Sequence, residues 1–195
     1  TSQTSMQVQF NEDLDGATVA SGDFTVGSSA PSAAGETTTN GLVELTLASA
    51  ISTDATPAVT VTSGSMTDVA GNSVTTLDFT NVKDGVGPKV LTADAVSTTQ
   101  VDVVFSETLL SGSATTDDFT VSVGGSPVEL DGATVNGTDV ELSLSTELAY
   151  NATPQVEFTQ GTLADDSSNE NLATSGTVTA LDKISPVLES VEWVE

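Results

Sequence analysis

Three side-chain chemistries are missing from this chain of 195 residues: it has no cysteine, no histidine and no arginine. Without cysteine there is neither a disulfide nor a thiolate nucleophile. Without histidine the commonest general base and transition-metal ligand is gone, and no serine can belong to a Ser–His–Asp triad. The only cationic side chains, Lys83, Lys89 and Lys183, face 28 Asp and Glu, for a net charge of −25. Phosphate-backbone binding runs on basic side chains that displace counterions. Nucleic acid is therefore not an expected partner, nor is an anionic membrane surface, whereas cations are. No apolar run approaches the roughly 18 residues of a membrane-spanning helix, so no direct membrane insertion is expected. No secretory leader is read at the start, so the expectation is a mature or internal segment. Paired carboxylates can cleave glycosidic bonds. Aromatic residues are only 4% of the chain, however, too few for the stacking platforms of a sugar site. Together these absences point away from an enzyme.

What is present is valine, threonine and serine. Apolar residues make up 37% and charged residues only 16%, so the acidity is dispersed rather than gathered into a polyelectrolyte tail. Valine and threonine are β-branched and favour strands, the reverse of a disordered composition. Strong acidity with almost no lysine also suits a halophilic setting, where salt screens the repulsion between carboxylates. An acidic surface protein in ordinary seawater or host fluid is the other reading.

The chain repeats itself. Met6-Gln7-Val8-Gln9-Phe10-Asn11-Glu12 matches Val101-Asp102-Val103-Val104-Phe105-Ser106-Glu107. Asp23-Phe24-Thr25-Val26 matches Asp118-Phe119-Thr120-Val121, and Val43-Glu44-Leu45-Thr46-Leu47 matches Val140-Glu141-Leu142-Ser143-Leu144. Asp54-Ala55-Thr56-Pro57 matches Asn151-Ala152-Thr153-Pro154, and Asp84–Pro88 falls on Asp182–Pro186. Within each copy the local period is two, with Val140, Leu142 and Leu144 on one face and Asp139, Glu141 and Ser143 on the other. Turn residues punctuate the chain, and Asn136-Gly137 is a hairpin signal. The expected fold class is all-β: tandem immunoglobulin-like β-sandwiches of about seven strands each. In the second copy the strands are expected at 89–96, 100–106, 118–123, 127–135, 138–145, 154–160 and 173–182.

The two copies are out of phase with the chain. Nothing before Met6 matches Pro88-Lys89-Val90-Leu91-Thr92-Ala93-Asp94, whereas Pro186-Val187-Leu188-Glu189-Ser190-Val191-Glu192 restates it. The expected division is a first repeat at 1–87 lacking its first strand, a second at 88–185, and a spare first strand at 186–195. That strand either opens a further repeat of a longer array or is donated to a neighbouring subunit, with Val187, Leu188, Val191 and Trp193 as the inter-subunit strand. Val187, Val191 and Trp193 are its expected inserted face, and Trp193 its buried anchor. Phe10, Phe24, Phe105 and Phe119 recur in phase and are expected in the cores.

Phe105-Ser106-Glu107, Asp118-Phe119-Thr120-Val121, Val140–Leu144 and Asp68-Val69-Ala70-Gly71-Asn72 resemble bacterial Ig-like repeats of the SwmB-like, Big-type kind. The resemblance extends over nearly the whole chain and specifies architecture better than function. It implies surface adhesins, stalks, S-layer-type arrays and filament subunits, located outside the cell, on a surface appendage or on a virion. Residues 164–171 depart from it, being longer and more acidic.

No cofactor is required by this reading, and calcium is the candidate ligand, since it takes six to eight oxygens from carboxylates, amides and carbonyls. Glu12, Asp68, Asn72 and Asp84 gather near one repeat end. Their counterparts are Glu107, Asp165, Asp166, Asn169, Asn171 and Asp182. Related Ig-like adhesins imply calcium at such linkers, whereas Asp-x-x-Gly-Asn is equally good turn chemistry. Asn136-Gly-Thr138 and Asn151-Ala-Thr153 are glycosylation sequons in expected turns. Two functions stand side by side: a structural segment or subunit of a surface array, partnered by further copies of itself, and an adhesin or viral fibre module that binds a host ligand.

Overall fold

The computed structural model describes residues 4–52, 55–62 and 64–193. The chain divides into two compact units, Thr1–Val86 and Gly87–Glu195. Asp54, part of the internal repeat, and residues 194 and 195 of the spare strand lie outside the described residues.

Unit 1 is built from β1 (Ser5–Gln9), β2 (Phe24–Val26), β3 (Ala33–Glu36), β4 (Leu42–Thr46), β5 (Val59–Val61) and β6 (Leu77–Phe79). They form two antiparallel three-stranded sheets in the orders β1-β4-β3 and β2-β5-β6. Alternation decides which side chains face inward. Val43 and Leu45 on β4 are fully buried with Glu44 between them pointing out, and Phe24, Val59, Val61 and Met66 complete the core. Phe10 is half-buried and packs against that core.

Unit 2 contains β7 (Val90–Ser97), β8 (Gln100–Phe105), β9 (Phe119–Val123), β10 (Ser126–Val128), β11 (Leu130–Asn136), β12 (Asp139–Leu144), β13 (Gln155–Phe158), β14 (Gly176–Thr179) and β15 (Leu181–Asp182). One sheet runs β10-β9-β13-β14 and the other β11-β12-β8-β7-β15. The core is a phenylalanine cluster. Phe158 meets Phe105 edge-on at 5.4 Å and tilts against Phe119 at 5.2 Å, separations that favour aromatic pairs. Ala93 and Ala95 on β7 seal it with small side chains.

Two expected strands are each two strands. The 127–135 run breaks at Glu129, so that β10 pairs with β9 in one sheet and β11 with β12 in the other. Pro127 sits on the edge strand β10, where a missing N–H costs least. The 173–182 run breaks at buried Ala180, after which β15 leaves the β13–β14 sheet and pairs parallel with β7.

The two units share one plan. The β1–β4 register sets Val8 opposite Val43, and the β8–β12 register sets Val103 opposite Val140. β2, β3, β5 and β6 correspond likewise to β9, β11, β13 and β14. Among the described residues, β7, β10 and β15 have no counterpart in unit 1.

Candidate functional site: an open groove and a buried carboxylate pair

The Asp-x-Ala-Gly-Asn stretch of unit 1 is a self-satisfied loop. Asp68 Oδ1 accepts from the Ala70 and Asn72 N–H groups, both at 2.8 Å, and Oδ2 accepts from Asn72 Nδ2 at 2.7 Å. The Asn72 side-chain and backbone bonds hold the Asp68 carboxyl below its usual range, because each stabilises the ionised form. Unit 2 reproduces the arrangement across a longer loop. Asp165 Oδ1 accepts from Ser167 Oγ at 2.7 Å and the Asn171 N–H at 2.9 Å, and Oδ2 from Asn171 Nδ2 at 2.9 Å. Leu14 bridges Asp68 and Leu109 bridges Asp165, so the loop of unit 1 lies against the segment after β1 and that of unit 2 against the segment after β8.

The two loops differ in what lies beneath. In unit 2, Glu107 and Asp165 are both 1% exposed, and each offers a carboxylate oxygen within 4.8 Å of the other's. In unit 1, Glu12, which matches Glu107, is exposed. Two buried like charges that close repel, and a cation between them would relieve the repulsion. The Glu107–Asp165 pair would supply two of the six to eight oxygens that calcium takes. Asp166, Asn169 and Asp182 are exposed, and Asp182 Oδ1 accepts from the Ile184 N–H at 2.9 Å. Asn72 and Asn171 serve as donors to Asp68 and Asp165. Asp84 is buried near the end of unit 1, its Oδ1 accepting from the Val86 N–H at 3.0 Å. Both sequon asparagines are exposed, Asn136 at the β11–β12 hairpin and Asn151 in a turn, and Asn136 Nδ2 donates to Glu141 at 2.7 Å.

Unit 1 holds an open apolar groove of about 600 Å³. One wall is β1, with Met6, Val8 and Phe10, and the opposite wall is Val59 and Val61 of β5 with Leu77 and Phe79 of β6. The stretch 81–86, with Lys83, closes one side. Leu77 and Phe79 are 51% and 60% exposed, unusual for large apolar side chains on a strand. Unit 2 has β7 at the equivalent position, paired with β8 on one side and β15 on the other.

The spare strand is not a strand in this structure. Residues 186–193 carry no regular structure, and Leu188, Val191 and Trp193 are exposed, Trp193 completely. The expected burial of Trp193 concerns a following repeat or a neighbouring subunit, and within this chain the residue is exposed. Sequence reasoning also missed two roles. Asp23 and Asp118 are buried caps of short 3-10 turns, receiving the Ala20 and Thr115 N–H groups. Asp102 stands directly between Asp94 and Glu141 on neighbouring strands. Desolvation pushes its carboxyl up, the bond from Gln100 Nε2 opposes this, and the charges of Glu141, Asp139 and Asp94 add to the rise.

Residues 85–180 match a family model described as the bacterial Ig-like domain. Unit 2 is a bacterial Ig-like domain. The match does not extend over unit 1, whose likeness to this Ig-like domain rests on the internal repeat and the shared sheet plan. No curated protein matches the chain. Among solved structures, the N-terminal part of the bacterial S-layer protein SbsC is similar, at 22% identity and a TM-score of 0.42 over 49% of this chain and 24% of that one. The S-layer protein rSbsC(31-844) gives 20% identity and a TM-score of 0.44, over 49% of this chain and 14% of that one. Domains 1-6 of surface layer protein SbsC give 21% and 0.43, over 50% and 14%. The chain thus spans a quarter or less of the length of these proteins.

Proposed function

We propose that this chain is a structural segment of an extracellular surface array, in which Ig-like units repeat and join to like units instead of performing chemistry. The observation that carries this reading is the periodicity of the sequence. Pro88–Asp94 leads into the first strand of unit 2, and the same pattern returns at Pro186–Glu192, after the last strand. A stacked chain of sandwiches grows by such repetition, with each unit folding on its own core and meeting its neighbours. The two units have separate cores, and the bacterial Ig-like family supports a setting at the cell surface.

The net charge of −25 fits the same role, since it keeps an exposed array soluble and draws in cations. Calcium is the cation that the Glu107–Asp165 pair suits, through hard oxygen ligands. Electron micrographs of native material, labelled with antibody to unit 2, test the reading. Regular fibres or a lattice are expected. Isolated spikes would overturn it and favour an adhesin.

A further inference from the structure

We propose that Asn151 carries an N-linked sugar chain, placed there by a membrane-bound transferase as the protein leaves the cell, and that Asn136, in the chain's other sequon, stays bare. The inference rests on the reading of the chain as part of a surface array and adds what that surface displays.

A sequon needs two groups presented together, the asparagine amide and the hydroxyl two residues on. Burial alternates along the stretch that holds Asn151. Asn151 and Thr153 are exposed, whereas Ala152 and Pro154 are buried. Ala152 belongs to the core of unit 2, so the packing of that core turns its two neighbours outward. Among the described residues, neither the Asn151 nor the Thr153 side chain makes a hydrogen bond. The backbone is just as lightly held. Over residues 149–153, the one bond among the described residues runs from the Ala152 N–H to the Ala149 carbonyl at 3.0 Å. A stretch tied down by so few bonds opens locally at little cost, as entry into an enzyme's groove requires.

The other sequon is equally exposed but is bound into the fold. Asn136 ends β11, and the chain turns there into β12. Asn136 Nδ2 donates to Glu141 Oε1 at 2.7 Å, and Thr138 Oγ1 donates to Asp139 Oδ1 at 2.9 Å. The amide and the hydroxyl that a transferase must engage are thus both spent on carboxylates, which are strong acceptors. The Gly137 and Thr138 carbonyls accept from the Leu109 and Phe105 N–H groups, both at 2.9 Å. Presenting this sequon would break these bonds and open the hairpin. Exposure alone does not separate the two sequons, whereas hydrogen bonding does.

The donor is a sugar linked to a polyprenyl phosphate. Asn151 Nδ2 forms a bond to the anomeric carbon of the sugar. The bond from that carbon to the phosphate oxygen breaks, and the polyprenyl phosphate leaves with the electron pair. The proton that Nδ2 gives up passes to a base of the transferase. The first sugar then lies beside Tyr150, the only tyrosine in the chain, which is 48% exposed. An aromatic ring with a polar tip suits a place where one side is covered and the other is wet. The first repeat offers neither group. Asp54 matches Asn151 and has no amide, and Thr53 stands in the place of Tyr150. The sugar therefore belongs to unit 2 alone.

Peptide mass spectrometry of the protein isolated from fractions of its own cells tests this. Cleavage after Glu147 and Glu157 releases Leu148–Glu157, which holds Asn151, and cleavage after Glu129 and Glu141 releases Leu130–Glu141, which holds Asn136. Leu148–Glu157 should appear mainly with the added mass of a glycan, and Leu130–Glu141 at its unmodified mass. Made in the same cells, Asn151→Gln and Thr153→Ala should lose the added mass, while Thr153→Ser should keep it. Both positions are exposed, so the fold should survive these changes. A glycan on Leu130–Glu141 overturns the choice between the sequons. Added mass that persists in Asn151→Gln overturns the amide as its point of attachment. A bare Leu148–Glu157 in protein that forms a surface lattice overturns the sugar and leaves the array reading standing, whereas bare protein held inside the cell removes both.

Discussion

Glu107→Gln separates a cation site from a structural carboxylate pair. The substitution removes one charge and keeps the shape. Two charges within 4.8 Å of each other repel by about 3 kcal/mol or more at an effective dielectric of about 20. Ser106 Oγ donates to Glu107 Oε1 at 3.3 Å, and weakening that charge-assisted bond returns about 1 kcal/mol. In a chelating buffer at neutral pH and low salt, the variant should therefore be more stable by about 2 kcal/mol. For a unit of this size that raises its melting transition by about 8 °C. Calcium should stabilise the wild type by relieving the same repulsion. A site with the affinity of extracellular modules, filled by roughly 10 mM calcium, adds about 1.5–2.5 kcal/mol. The wild type should then close most of the gap, while Glu107→Gln responds little. Differential scanning calorimetry of both proteins in chelator and in calcium is the assay. If the wild type melts at the same temperature in both buffers, or both proteins shift alike, the pair holds no cation and the reasoning fails.

Asp68, whose carboxyl is held below its ordinary value of 3.8, contributes stability that is fully present above pH 3.8 and is lost as pH falls through its folded value. Thermal melts between neutral pH and strong acid should show a steeper acid loss in the wild type than in Asp68→Asn. Asp102 has the opposite sign: its raised carboxyl favours the folded state most below pH 3.8 and weighs against it as pH climbs through the folded value. Asp102→Asn should therefore stabilise unit 2 by about 0.5 kcal/mol in dilute buffer, and the gain should fade in about 1 M salt. Gly161→Ala should cost about 1–3 kcal/mol by overpacking, because an added Cβ would collide with the buried carboxylate of Asp118. A normal chemical-denaturation midpoint for that variant would show that the Asp118 cap can move aside.

Much of this was legible in the sequence because its period-two alternation is a direct image of strand burial. Val140, Leu142 and Leu144 are buried, as their spacing requires. Alternation does not say which sheet a strand joins, and so the breaks at Glu129 and Ala180 were invisible. The carboxylates show a second limit. Glu12 and Glu107 occupy matching positions after matching strands, yet one is exposed and the other buried. Burial there depends on what the rest of the fold lays over the residue, which no local pattern encodes. The Asp-Phe-Thr-Val motif marks the repeat, and its phenylalanines sit in the cores. The work of its aspartate, a cap that lies against Gly161 from a distant loop, depends on a contact far along the chain.

The parallel pairing of β15 with β7 has a mechanical meaning. β7 stands near the entry to unit 2 and β15 near its exit, side by side and pointing the same way. A pull along the chain draws the start of β7 backward and the end of β15 forward, so the strands slide against each other and their bonds are loaded together. A hairpin pulled from its open end yields one bond at a time. The bond from the Lys183 N–H to the Ala95 carbonyl, at 3.0 Å, and the parallel bridge between Lys89 and Thr174 extend the sheared contact at its two ends. The late switch of one short strand from its own sheet to the opposite one gives this unit a clasp that resists tension.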